Sequence, residues 1–137
     1  MTSVSEIDLT PLRAAVARLD EGLARYLADE SDEQIRDGLI QRFEFTYELS
    51  VSFLRRYVAL SAIDPAVLEP FDYPTLIREG NRLGLLRGEW SEWRTYRHMR
   101  ARSSHTYSEE TALQVVAGIP SFLAEARYLL DQFEGRA

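Results

Sequence analysis

Residues 31–58 read SDEQIRDGLIQRFEFTYELSVSFLRRYV, and this stretch decides the fold class. Ser31 followed three residues later by Gln34 is typical of a capping box at the start of a helix. Mostly apolar and aromatic residues then recur at three- and four-residue steps for about seven turns, the spacing of one buried helix face. These positions are Ile35, Leu39, Phe43, Tyr47, Ser50, Leu54, Tyr57 and Val58. The stretch therefore predicts a long amphipathic helix.

A second helix is predicted before this stretch, and a loop after it. Thr10 can cap a helix over residues 11–28, in which Pro11 lacks only an N–H that would have no partner within the helix. The apolar stripe of this helix consists of Leu12, Val16, Leu19, Leu23 and Leu27. Three prolines lie between Ile63 and Pro74, so this segment is predicted to be a loop.

Three more helices are predicted in the second half of the chain. One spans about residues 74–83, with Asp72 as a cap at its start and Gly84 as a stop after its end. The next begins near Gly88. Ser108, followed by two glutamates, opens the last helix, because carboxylates are favourable near a helix N-terminus.

These elements predict an all-α fold, an up-down bundle of four to five helices in a single domain over residues 1–137. No alternating pattern long enough for a convincing strand is present. The aromatic-rich long helices leave a face for a second copy, and closed two-fold dimers are the commonest assemblies. We therefore expect a homodimer that forms through the long helices.

The composition excludes several classes of site and partner. The chain has 137 residues, no cysteine and a formal net charge of -6. Disulfides and zinc–thiolate sites are thus excluded. A broad, sequence-independent nucleic-acid surface is not expected, because such binding needs many basic residues, whereas a small local basic site stays open. The start of the chain has no pattern of a signal peptide and no apolar run suits a membrane span, so we expect a cytoplasmic protein without membrane contact.

Residues 93–107, WRTYRHMRARSSHTY, contain both histidines of the chain and four of its arginines. Arg100 and His105 would point roughly 140° apart on a continuous helix, so they can share a site only if the helix ends between them or a second subunit contributes its own pair. The serines and threonines of residues 103–108 favour such a break, because their side chains compete for backbone hydrogen bonds. Guanidinium and imidazole groups together suit phosphate binding and proton transfer.

Two other interpretations of these residues stay open. An arginine-rich helix end is most often a solvated, ion-paired surface, and histidines are more often structural than catalytic. Glu44 and Glu48, one turn apart, resemble part of a carboxylate metal site, but the Glu-x-x-His motif that such bundle sites use is absent. Pairing with arginine is the alternative for these carboxylates, and we expect no metal and no cofactor. Trp90 and Trp93 are assigned to the core or to a dimer face.

Three motifs in order resemble the nucleotidyltransferase substrate-binding family, a branch of the HEPN superfamily. Residues 42–49, RFEFTYEL, resemble the opening of that family's long helix. Residues 73–86, YPTLIREGNRLGLL, are similar to its short helix and glycine turn, and residues 93–110 are similar to its W-x-x-M-x-x-x-R-N-x-x-S-H-T-Y-x-E region. The resemblance extends over nearly the whole chain after about residue 12.

The resemblance implies a dimeric HEPN helical bundle that forms a complex with a minimal nucleotidyltransferase encoded nearby, often as a toxin–antitoxin module. HEPN toxins are metal-independent ribonucleases with an R-x4–6-H motif at the dimer interface, here matched by Arg100 and His105. In one branch the motif extends to R-x4-H-x-Y, and the partner enzyme attaches AMP to the tyrosine, which corresponds to Tyr107. Ala101 departs from the family, which usually has a polar residue there, and this puts ribonuclease activity in doubt more than the fold.

Three functions follow as hypotheses. The first is a ribonuclease in which Arg100 and His105 are catalytic, Arg97 and Arg102 bind nucleotide or RNA phosphates, and AMP on Tyr107 silences the site. The second is a non-catalytic subunit whose arginines position a phosphorylated substrate for the partner's active site. The third is a purely structural bundle whose basic segment makes only a dimer contact.

Overall fold

The computed structural model describes residues 7–61 and 72–136 and, within them, consists of five α-helices. They are α1 (Thr10–Ala28), α2 (Glu33–Ser61), α3 (Tyr73–Arg82), α4 (Trp90–Arg102) and α5 (Glu109–Gly135). A 3₁₀ turn, Ser103–His105, follows α4. No strand occurs in the described ranges, so the predicted all-α fold is confirmed. The predicted loop over residues 63–74 lies mostly outside the described residues.

The helix starts show two corrections to the predicted caps. Thr10 is the first residue of α1, and its backbone N–H donates to the Asp8 carboxylate at 3.0 Å. Asp32 rather than Ser31 caps α2, because its carboxylate accepts from the backbone N–H groups of residues 34 and 35. Ser31 instead donates its own hydroxyl and N–H to Asp29. At both starts an aspartate, not the hydroxyl, accepts from the first backbone N–H groups, and the N-cap position of α1 is Leu9, which has no side-chain cap contact.

The predicted ends of the later helices are confirmed. The Asp72 side chain accepts from the backbone N–H of Thr75 and so caps α3. Gly84 has a φ of 74°, the left-handed conformation that ends this helix and that a side chain would strain. Ser108 caps α5 through the backbone N–H of Thr111. At α4 the cap is a capping box: the Glu92 side chain accepts from the backbone N–H of Glu89, and the Glu89 side chain accepts from the backbone N–H of Glu92.

The core lies between the long helices α1, α2 and α5, with α4 packed on α5. Its centre is aromatic: the Phe43 and Phe122 rings meet edge to face at 5.1 Å, and Trp93 and Tyr96 also contact Phe122. Trp93 is completely buried, which assigns it to the core of this chain rather than to a dimer face. In the described ranges, no helix combines the length and the apolar character needed to cross a membrane.

Candidate functional site

The start of α4 is fixed to α5 by a buried carboxylate. Glu125 is 5% exposed and accepts three hydrogen bonds, from the backbone N–H groups of Arg87 and Gly88 and from the indole N–H of Trp93. A Cβ at residue 88 would lie 2.5 Å from the Glu125 carboxylate, so glycine is needed for this close approach. The contact sets the position of the helix that carries Arg97, Arg100 and Arg102.

The far end of α4 breaks where the hydroxyl-rich sequence predicts. The α-helix ends at Arg102 and the chain continues as the 3₁₀ turn Ser103–His105 before α5 begins at Glu109. The buried Ser103 hydroxyl donates to the Arg100 carbonyl at 2.7 Å and also contacts Glu44 on α2 at 2.8 Å. The turn is therefore held against α2, and the residues after it are presented at the end of the bundle.

Arg100 is oriented by two carboxylates of α2. Its Nε and Nη2 donate to one oxygen of Glu48 at 3.1 and 2.6 Å, and its Nη1 donates to Glu44 at 3.0 Å and to the Ser103 hydroxyl at 3.2 Å. These two glutamates are the pair that resembled part of a metal site, and the structure shows them paired with arginine. The Glu44 contact is half-buried, whereas Glu48 is 61% exposed, so the Glu48 side of the guanidinium is open to exchange with another anion.

His105 and Tyr107 lie beside each other on the surface. Their rings meet edge to face with centroids 6.2 Å apart, His105 is exposed, and Tyr107 is 89% exposed. No hydrogen bond joins Arg100 to His105 within the described part of the chain. The structure thus brings His105 and Tyr107 together and places Arg100 at the preceding turn, directed toward α2.

The two predicted phosphate-binding arginines have different surroundings. The Arg97 guanidinium lies 4.9 Å over the ring of Tyr73, whose hydroxyl is hydrogen-bonded to that of Tyr47 at 2.5 Å. Burial raises the pKa of both phenols, so Arg97 stacks on a neutral ring. Arg102 is half-buried and donates to the Thr111 hydroxyl at 3.3 Å, which connects the end of α4 with the start of α5.

Residues 7–135 match the family model described as "Nucleotidyltransferase substrate binding protein like", which is almost all of the chain. The chain belongs to the nucleotidyltransferase substrate-binding protein family. The family resemblance read from residues 42–49, 73–86 and 93–110 is therefore confirmed.

A curated protein and a solved structure are similar to this nucleotidyltransferase substrate-binding family protein. Probable ribonuclease HepT of Haemophilus influenzae is 41% identical over 99 residues, which are 72% of this chain and 67% of that protein. A solved structure from Haemophilus influenzae, described as the fold of a substrate-binding domain of a nucleotidyltransferase, has a TM-score of 0.85 and 34% identity. The similarity covers 93% of this chain and 99% of the solved one, so the helical fold is shared along nearly its whole length.

Sequence reasoning missed Glu125 in this family member's candidate site, and it placed Ser103 at the helix break but missed the contact of Ser103 with α2. Glu125 lies on the buried face of α5, between Phe122 and Leu129, and a carboxylate on an apolar stripe is a readable signal of a buried acceptor. Ser103, which connects Arg100 to α2, has no such signal, because its partner Glu44 is 59 residues away.

Proposed function

We propose that this protein is a cytoplasmic, single-domain HEPN subunit that works with a separately encoded minimal nucleotidyltransferase and cleaves RNA without a metal ion. The observation that carries the proposal is the broken helix, which presents exposed His105 and Tyr107 one turn beyond a firmly oriented arginine. Membership in the nucleotidyltransferase substrate-binding family supports the partnership. The similarity to a protein named as a probable ribonuclease supports the reaction.

In the proposed reaction the RNA supplies the nucleophile. The 2′-hydroxyl oxygen attacks the adjacent phosphorus while its proton leaves, the P–O5′ bond breaks, and the 5′ oxygen takes up a proton. The products are a 2′,3′-cyclic phosphate and a 5′-hydroxyl. His105 transfers protons in this step, and Arg100 stabilises the charge that develops on the phosphate. To reach that phosphate, Arg100 exchanges its exposed contact with Glu48 and keeps its half-buried contact with Glu44.

A homodimer completes the proposed site. Arg100 is directed toward α2 of its own chain, whereas His105 and Tyr107 are exposed. A second copy, packed through the long helices about a two-fold axis that passes near the end of α4, would place its own exposed pair across the same groove. We propose that RNA or nucleotide phosphates bind in this groove, with Arg97 and Arg102 at its sides.

Tyr107 is the proposed point of control. Its exposed hydroxyl can attack the α-phosphorus of ATP in the partner's active site, which forms a tyrosyl–AMP ester and releases pyrophosphate. The added AMP would block the groove with its bulk and its negative charge, and so silence the ribonuclease. The test is mass spectrometry of the protein after incubation with the nucleotidyltransferase and ATP: wild type gains one AMP and Tyr107→Phe gains none. Equal labelling of both proteins would contradict this assignment.

The ribonuclease activity is tested with purified protein and single-stranded RNA in the presence of EDTA. Wild type should cleave the RNA and His105→Ala should not, with Arg100→Lys reduced because lysine lacks the bidentate fork. Circular dichroism controls for folding, and His105 is exposed, so the fold should be unaffected. Equal inactivity of wild type and His105→Ala would end the catalytic proposal.

A second candidate, a non-catalytic subunit that positions a phosphorylated substrate for the partner, is favoured by one observation. All three nitrogens of the Arg100 guanidinium already have protein acceptors, and Ala101 offers no polar group beside it. Titration of ATP against the isolated protein and against its complex with the nucleotidyltransferase distinguishes the two functions. Binding in the complex without RNA cleavage would support this candidate, and no binding in either state would exclude it.

A further inference from the structure

The outward face of α4 forms a basic surface, of which the proposed function uses only Arg97. Six residues of this helix line a shallow groove of about 600 Å³. They are Ser91, Arg94, Thr95, Arg97, His98 and Ala101. None of the lining residues is acidic, although the whole chain has 22 acidic residues against 16 basic ones. This surface therefore has a local charge opposite to that of the protein.

The positive charge of this surface is not neutralised by the protein itself. Several arginines elsewhere contact a carboxylate, as Arg13 does with Glu134 and Arg127 with Asp20. Neither Arg94 nor His98 forms an ion pair in the described ranges, and both are exposed. Both side chains are therefore available to bind an anion from outside the protein.

The basic surface leads to the proposed cleavage site. Arg94, His98 and Arg102 are spaced four residues apart, so they follow one side of α4 with a rise of about 6 Å per step. The 3₁₀ turn then advances the chain by roughly 6 Å to His105. The lining of the groove ends at Ala101, which is followed by Arg102 and the 3₁₀ turn that contains His105, so a linear polyanion in the groove could continue to the proposed cleavage site.

We propose that Arg94 and His98 bind backbone phosphates of single-stranded RNA next to the phosphate that is cleaved. This inference rests on the proposed ribonuclease function and extends it to a substrate-binding track along α4. A guanidinium and an imidazole N–H donate to phosphate oxygens, and the contacts read no base, so the track binds RNA of any sequence. Arg97, which stacks on Tyr73, keeps its proposed place beside the cleavage groove and is not counted in the track.

The test measures RNA binding separately from cleavage. A fluorescent single-stranded RNA is titrated with full-length His105→Ala protein, which binds without cutting, over a range of salt concentrations. When the substitutions Arg94→Gln and His98→Gln are introduced into this His105→Ala protein, its affinity for the RNA should fall roughly fivefold to tenfold at low salt. The slope of log K against log salt should become shallower by about 0.7 for each phosphate that the variant no longer binds. The matched control is Arg25→Gln, which removes an exposed arginine from α1, a helix packed mainly on α2 and α5. It should change the RNA affinity and the salt slope less than the double variant does.

The outcomes separate the track from the function on which it rests. If the double variant binds RNA with unchanged affinity and salt slope while wild type still cleaves RNA, the track is wrong and the ribonuclease stands. If wild type neither binds nor cleaves RNA, the proposed function fails and the track fails with it. If the double variant keeps RNA binding but no longer associates with the nucleotidyltransferase, the basic face docks an acidic protein surface instead.

Discussion

Glu125→Ala should destabilise the fold more than any other single change of a charged residue discussed above. The substitution removes the acceptor of three N–H groups, those of Arg87, Gly88 and the Trp93 indole. A buried donor left without a partner costs about 1–3 kcal/mol. The fully buried Trp93 indole has no route to water, whereas the two backbone groups border a surface cavity and can be rehydrated. We therefore expect a loss of roughly 3–5 kcal/mol in the free energy of unfolding.

Urea unfolding followed by tryptophan fluorescence measures this loss directly. For a chain of 137 residues, a loss of about 3 kcal/mol corresponds to a fall in Tm of roughly 10 °C. Glu125→Gln, which keeps one acceptor oxygen, should lie between wild type and alanine. Glu134→Ala, which breaks an exposed pair with Arg13, is the control and should cost about 0.5 kcal/mol. A loss below about 1 kcal/mol for Glu125→Ala would refute the assignment of Glu125 as the anchor of α4.

Four further substitutions test the contacts of Arg100 and the two ends of α3. Glu44→Gln should cost about 1–2 kcal/mol because its contact with Arg100 is half-buried, whereas Glu48→Gln should cost about 0.5 kcal/mol, and thermal denaturation of the two variants compares them. Gly84→Ala should cost about 1 kcal/mol, because φ is 74° there; no loss in urea unfolding would contradict the left-handed conformation. Asp72→Ala should lower the Tm at pH 7. Hydrogen bonds from Thr75 lower the pKa of this carboxyl below 3.8, so the difference should persist at pH 5 and shrink as the pH falls below 3.8.

The helices could be predicted from the sequence because local rules and packing agree along most of this chain. Asp72 and Gly84 bound α3 in the structure as their residue types predict, and Ser108 opens α5. The predicted caps Thr10 and Ser31 each lie one residue from the observed cap positions, Leu9 and Asp32. Threonine or serine stands close to aspartate at both starts, and only the backbone geometry decides which oxygen meets the first N–H groups.

The candidate site was predictable only in part, because its supports come from distant segments. The helix break near Ser103 could be inferred from its hydroxyl-rich neighbours, and the structure contains it. The two carboxylates that orient Arg100 are 52 and 56 residues away, so the sequence could offer arginine pairing for Glu44 and Glu48 only as one alternative. The burial of Trp93 also required the fold, since an aromatic on a helix face serves a core or an interface equally well.

The most direct test of the proposed reaction is cleavage of two matched oligonucleotides in EDTA, one of RNA and one with a 2′-O-methyl group at every position. The protein should cut the RNA, leave 2′,3′-cyclic phosphate ends and not cut the methylated strand, since the 2′-hydroxyl is the nucleophile and no metal takes part. Cleavage of both strands at similar rates, or of neither under conditions where the protein binds them, would contradict it.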